Sequence, residues 1–403
     1  MKSTHIKKIL LTLIAFTLLP SALFAANFGL ALNAGAGYGN AETGENSFDY
    51  QIDILPRFSM LIGDNGEFEM SAGFTFGMEY DEFYYVPELL QTVLTMRFGN
   101  SGIRVGRFNY SAPLPFVTDG LFDGFQFFYN SDIGNFHIGA WYTGFMYKNN
   151  TNILMTDNDR DIYSTFVDYG DFLNTYFAPK RALASIGWEH LSVGEFVHLN
   201  AELIGQFDLT EENEKYHSQY LILKAGIPVK NFFLELGGSL EIYQTSDESN
   251  IALAGEFGLY WQFSQKFNSR LSLTGRIASG VIENSCGAFV PITTKYYGYI
   301  FQHTLSGLSV FTLNYSGRLT KALGVSITAA YFVRSDLGTY NGYPVSKDGY
   351  FLGPDFSAKI IWSPASDLQF NLIGGAFVPA LGDAGSEEKL RWCVELTATI
   401  ALF

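Results

Sequence analysis

The sequence predicts an all-β fold, a transmembrane antiparallel up-and-down β-barrel of about 18 strands behind a cleaved signal peptide. Three observations lead there. Polar and apolar residues alternate with period two along the whole chain after the leader. The alternating runs reach about 11 residues or more, whereas strands of soluble sandwiches typically have five or six. Short and long connections between the runs strictly alternate.

Lys2, Lys7 and Lys8 precede an apolar stretch from Ile9 to Leu19, followed by Pro20 and the small-residue segment Ser21 to Ala26. This is the pattern of a secretory signal over residues 1–25, with 26–403 as a single outer-membrane barrel domain. Leu23 or Phe24 departs from the usual small residue three positions before the cut. The competing reading is a retained anchor, for which the stretch is short. Loss of the leader takes the formal net charge from −15 to about −18. So acidic a chain lacks the basic footprint of a nucleic-acid partner. With 37 Phe, 24 Tyr and 41 Gly the chain is too apolar for disorder, yet no run after the leader is long enough for a transmembrane helix. A soluble β-protein and a membrane barrel remain, and the length of the runs favours the barrel.

The alternation is plainest over 48–60, where Phe48, Tyr50, Ile52, Ile54, Phe58 and Met60 oppose Asp49, Gln51, Asp53, Arg57 and Ser59. Over 232–243, Phe232, Leu234, Leu236, Leu240 and Ile242 oppose Glu235, Ser239 and Glu241. In a strand such sets lie on opposite faces, so each run shows oil to one side and water to the other. Tight polar links rich in Gly, Asn, Asp or Ser recur at 63–66, 99–102, 130–134, 192–195, 228–231, 265–268, 320–322 and 363–367. Longer links lie at 41–46, 81–87, 112–121, 148–180, 210–216, 245–249, 283–300, 335–349 and 380–387. These seventeen connections give eighteen strands; a miscounted hairpin would give sixteen. The first strand is expected from Phe28. The final Phe403 fits the aromatic C-terminus that barrel-assembly machinery reads in proteins the chain resembles, although the apolar set of the last run ends at Leu402, one register off.

One face of each run must meet lipid and the other the lumen. The polar faces place Arg57, Arg97, Arg104, Arg270, Arg276, Arg318, Arg334, Lys359 and Arg391 on one arc, interrupted by Asp49, Asp53, Glu69 and Glu79. Glu189, Glu202, Glu235, Glu241 and Glu256 fall on the opposite arc, offset mainly by Lys224. Two readings stand: a transverse field across a water-filled pore, or polar filling paired across neighbouring strands. The link 148–180 carries five Asp and six aromatic residues, and is expected either to fold inward or to stay on the surface. Its acids match no cation-loop spacing. Cys286 and Cys393 match no metal site; a disulfide between them would draw the link 283–300 across the pore mouth.

Residues 104–108, Arg-Val-Gly-Arg-Phe, continuing through Thr118-Asp-Gly to Phe122-Asp-Gly-Phe-Gln, resemble a hairpin of porin-like and alginate-export-like outer-membrane barrels. Two Gly-Ala-Phe-Val-Pro segments, at 287–291 and 375–379, resemble strand-to-loop exits of such proteins. The resemblance implies a channel for diffusion or export of small polar, including anionic, solutes, set in outer-membrane lipid and without a cofactor. It points to Arg104, Arg107 and Asp123 as lumen or mouth residues. The alternative is a closed structural or adhesive barrel with acidic surface loops. An enzyme would have to be built on His198 and Glu202, the best pair available, and no G-x-S-x-G occurs. A fatty-acid-type transporter would need an N-terminal plug ahead of the first strand.

Overall fold

Period-two alternation becomes pleated strand in each expected place. The computed structural model describes residues 26–402 apart from 42–43, 80–81, 195, 211–214, 247, 265, 283–285, 338–348 and 385–388. The expected leader, residues 1–25, and Phe403 lie outside the described residues. The first nine strands are β1 (Ala26–Gly39), β2 (Ser47–Ile62), β3 (Gly66–Glu79), β4 (Glu82–Phe98), β5 (Ser101–Ser111), β6 (Asp119–Ser131), β7 (Gly134–Tyr142), β8 (Arg181–Val193) and β9 (Val197–Asp208). The second nine are β10 (His217–Val229), β11 (Phe232–Gln244), β12 (Ser249–Ser264), β13 (Ser269–Ala278), β14 (Leu308–Arg318), β15 (Leu323–Arg334), β16 (Phe351–Ala365), β17 (Leu368–Phe377) and β18 (Arg391–Leu402). Each pairs antiparallel with its sequence neighbours, and β18 pairs with β1, so the sheet closes into an 18-stranded barrel. Closure removes every edge, the condition for a sheet to sit in lipid.

The eight tight links join strands at one rim, and the nine others open at the opposite rim. Gly63 and Gly99 take φ of +59° and +60° in two of the tight turns. One expectation changes. Residues 82–87, expected in an irregular link, are strand: Phe83, Tyr85 and Pro87 face outward opposite Met78, Phe76 and Phe74.

Apolar side chains form the outer belt. Ile52, Phe74, Phe125, Ile138, Ile186, Leu203, Leu236, Leu253, Leu313, Ile327 and Leu396 are all exposed on it. Aromatic pairs flank the belt: Phe28 with Phe58 and Phe232 with Trp261 near the tight-turn rim, Tyr38 with Trp392 near the other. This is the girdled surface that a bilayer covers. Among the described residues, no helix is long and apolar enough to cross a membrane. Three short helices, α1 (Lys148–Thr151), α2 (Asp157–Ser164) and α3 (Phe172–Thr175), sit in the connection between β7 and β8.

Candidate functional site

The lumen is the site, and strand parity decides what enters it. Arg57, Arg97, Arg104, Arg270, Arg276, Arg318, Arg334, Lys359 and Arg391 all lie at inward positions of their strands, opposite inward partners in register. Arg57, Arg97, Arg104 and Arg318 are exposed, in the half of the lumen nearer the tight turns. Arg270 lies over the Tyr260 ring, 4.2 Å from its centroid. Arg276 is paired with Glu256 at 2.6 Å, and Arg334 is buried near the long-loop rim.

Glu189, Glu202, Glu235, Glu241 and Glu256 also point inward, but four of them are occupied. Glu202 accepts the Tyr110 hydroxyl at 2.6 Å and lies 2.8 Å from His137 Nε2. Glu241 accepts the hydroxyls of Tyr216 and Tyr220 at 2.8 and 3.0 Å and the Val290 amide at 2.8 Å. Glu235 meets Lys224 at 3.1 Å and Tyr260 Oη at 2.8 Å. Carboxylates of this arc thus fasten chain segments and offset nearby cations. The paired-filling reading describes them; a free acidic wall does not.

Segments of three connections fill that side of the lumen, and Glu241 fastens one of them at Val290. Leu114, Phe116 and Val117 from 112–118, Ile153 and Met155 after α1, and Phe289, Ile292, Phe301 and Leu305 from 279–307 are all buried. Phe289 stands edge-on to both Phe116 and Tyr220. Ile292 N donates to Val117 O at 2.8 Å, and Thr294 N to Asn152 O at 2.7 Å. Asp355 Oδ2 accepts from the amides of Ile300 and Phe301 at 2.7 and 2.8 Å, holding the far end of the 279–307 connection. Sequence reasoning missed 112–118 and the anchoring role of Asp355. The signal was present in Phe289–Ile292, an apolar run where an outer loop should be polar.

The connection 143–180, which contains the link read from the sequence at 148–180, divides in two. Its first part turns inward, with Asn150 Nδ2 donating to the inward-facing Glu88 at 2.9 Å. Its later part drapes over the outside of β4, where Tyr169 stacks on Tyr85 at 4.5 Å and Tyr176 donates to Pro87 O at 2.6 Å. Asp159 is buried and held by Arg181 at 2.8 Å, while Asp157 pairs with Arg160. Among the described residues, no group of three or more His, Cys, Asp or Glu is arranged to hold a metal.

Two further expectations need correction. No disulfide joins the two cysteines: Cys286 bridges to Ile282 beside β12, whereas Cys393 lies on β18, with five strands between along the wall. Arg107 and Asp123, implied by resemblance to be lumen or mouth residues, face outward. They share the register and face of Val105 and Phe125 and pair with each other at 2.7 Å under the Phe145 carbonyl. Arg104, from the same segment, does face inward. His198 and Glu202 are not brought together, since four residues along a strand span about 13 Å; His198 packs against Phe233 instead.

Beside the infolded segments, a cavity of about 870 Å³ stays open against β18, β1 and β2. Asp49, Gln51, Asp53, Tyr84, Tyr299, Gln302, Arg391, Cys393 and Glu395 line it. A girdled closed barrel with a charged lumen, half filled by its own loops, defines the class: an 18-stranded barrel of the outer-membrane type.

Solved structures agree with that class. The chain is similar to Pseudomonas aeruginosa OccK2, solved in complex with glucuronate, at 12% identity and a TM-score of 0.62, covering 94% of this chain and 98% of that one. It is similar to the outer-membrane protein OpdK of the same organism at 10% identity and a TM-score of 0.59, covering 94% and 98%. OpdO, also from that organism, gives 12%, 0.60, 94% and 97%. At these identities the likeness is one of fold, and an alginate-export barrel is not among the three. No family model matches the chain, and no curated protein matches it.

Proposed function

We propose that the protein is an outer-membrane channel for small polar solutes that carry an anionic group. One observation carries the reading: where the loops fill one side of the lumen, a gap of about 870 Å³ persists against the other. A closed structural barrel has no use for it. Arg57, Arg97, Arg104 and Arg318 stand exposed on inward positions further toward the tight turns, where they can receive carboxylates leaving the gap. The glucuronate held by OccK2, a small polar carboxylate, supports the same solute class. Outer-membrane lipid surrounds the apolar belt on this reading. The signal over residues 1–25 directs export, and Phe403 is the contact for barrel-assembly machinery.

Planar-bilayer recording tests it. The mature protein is expected to give steady single-channel steps, and Arg57→Ala/Arg318→Ala to move the reversal potential in a salt gradient toward cation preference. Silent barrels would favour the adhesive alternative. Steps with an unmoved reversal potential would remove the arginines from the pathway.

A further inference from the structure

The inner face of β1 is nearly bare. Its successive inward positions along the cavity are Asn33, Gly35 and Gly37. A Cβ added at Gly37 would meet nothing within 4 Å, and one at Gly35 would first meet Thr397 Cγ2 at 3.4 Å. Neither glycine has a positive φ, so backbone conformation does not require them. Glycine weakens a strand interior. What these two provide is room: they keep the wall of the cavity free of side chains where the opposite side is filled by loops.

The flanks of that bare strip carry like charge. In register, Gly37 lies between Asp49 of β2 and Glu395 of β18. Adjacent strands are about 4.8 Å apart, so the two carboxylates border a slot about 10 Å wide with no side chain between them. Glu395 leans along the bare strip toward Gly35, its Oε1 being 3.9 Å from where a Gly35 Cβ would stand. Asp53 flanks Asn33 two inward positions further along. Arg391 is the cation of the same cavity and donates to Ala41 O at 3.3 Å at the long-loop rim. A solute therefore meets an acidic slot before it reaches the exposed arginines nearer the tight turns.

The geometry points to a permeation path along β1 whose Asp49–Glu395 slot accepts a protonated amine, so that the solutes are compact zwitterions bearing both an ammonium and an anionic group. This rests on the channel reading and narrows its substrate class. The slot holds the ammonium while the arginines below draw the carboxylate, and each charge of the solute has a counter-charge in sequence along the path.

The test is a Gly37→Cys channel in a Cys286→Ser/Cys393→Ser background, labelled in planar bilayers with methanethiosulfonates of opposite charge. After correction for their rates with a free thiol, the cationic reagent is expected to react at least about tenfold faster and to lower the conductance. Asp49→Asn/Glu395→Gln is expected to bring the two rates together. Equal rates, a faster anionic reagent, or labelling that leaves the conductance unchanged would overturn the inference and leave the channel reading standing. A barrel without conductance steps before labelling would overturn both.

Discussion

Arg181 is fully buried, and its guanidinium reaches Asp208 Oδ1 at 2.6 Å and both Asp159 oxygens at 2.8 Å. Removing such a partner leaves uncompensated buried carboxylates, at a cost of about 3–5 kcal/mol, so this cluster pins α2 to the start of β8. Lys148 is a second buried cation in the same connection, with a different outcome. Its ammonium donates only to carbonyls, Ile162 O at 2.8 Å and Thr165 O, and burial pushes its pKa down to about 8. The folded protein thus releases this proton near pH 8, while an unfolded lysine keeps it to about pH 10.4. Between those values the unfolded chain binds more protons, and folded stability rises with pH. Wild-type melting temperature, taken relative to Lys148→Met, should be flat below pH 7 and rise between pH 8 and 10. A constant difference would mean that the lysine titrates normally.

Strands were legible because their determinants are local. Period two and turn chemistry each act over a few residues, and β2, β11 and β18 read directly from them. Parity likewise placed the arginines on the inner face. The register of β5 was harder, because Arg107 looks misplaced until it is assigned to the outside, with Asp123 as its outward partner. Gly106 makes that segment possible. Its φ is +119°, and an added Cβ would lie 2.0 Å from Thr92 O. Gly106→Val should cost at least about 2 kcal/mol through backbone strain and the clash. Urea unfolding followed by the loss of barrel-shaped migration on gels would read it. Gly37→Val, pointing into open space on an extended strand, should stay within about 0.5 kcal/mol in the same assay.

The interior arrangement of the whole molecule was much less legible. Inward parity says that Glu202 and Glu241 face the lumen, but not that Tyr110, Tyr216 and Tyr220 occupy them, because those partners lie 21 to 92 residues away. The same non-locality hid the path. The glycines of β1 are visible at period two, yet they gain meaning only once loops from three other connections are known to fill the far side. Replacing 288–303 by a short Gly/Ser link should remove Phe289, Ile292 and Phe301 from the lumen and raise single-channel conductance. An unchanged step size would show that this connection does not narrow the pore. The seam between β18 and β1 carries a last consequence. It is built from ten paired positions, Leu30 with Leu402 through Gly39 with Cys393, as continuous as the pairing between any neighbours in the wall. The chain therefore forms a hoop with no privileged starting point. A circular permutant that joins 402 to 26 through a linker and begins instead at the tight bend 230–231 would enclose the same volume.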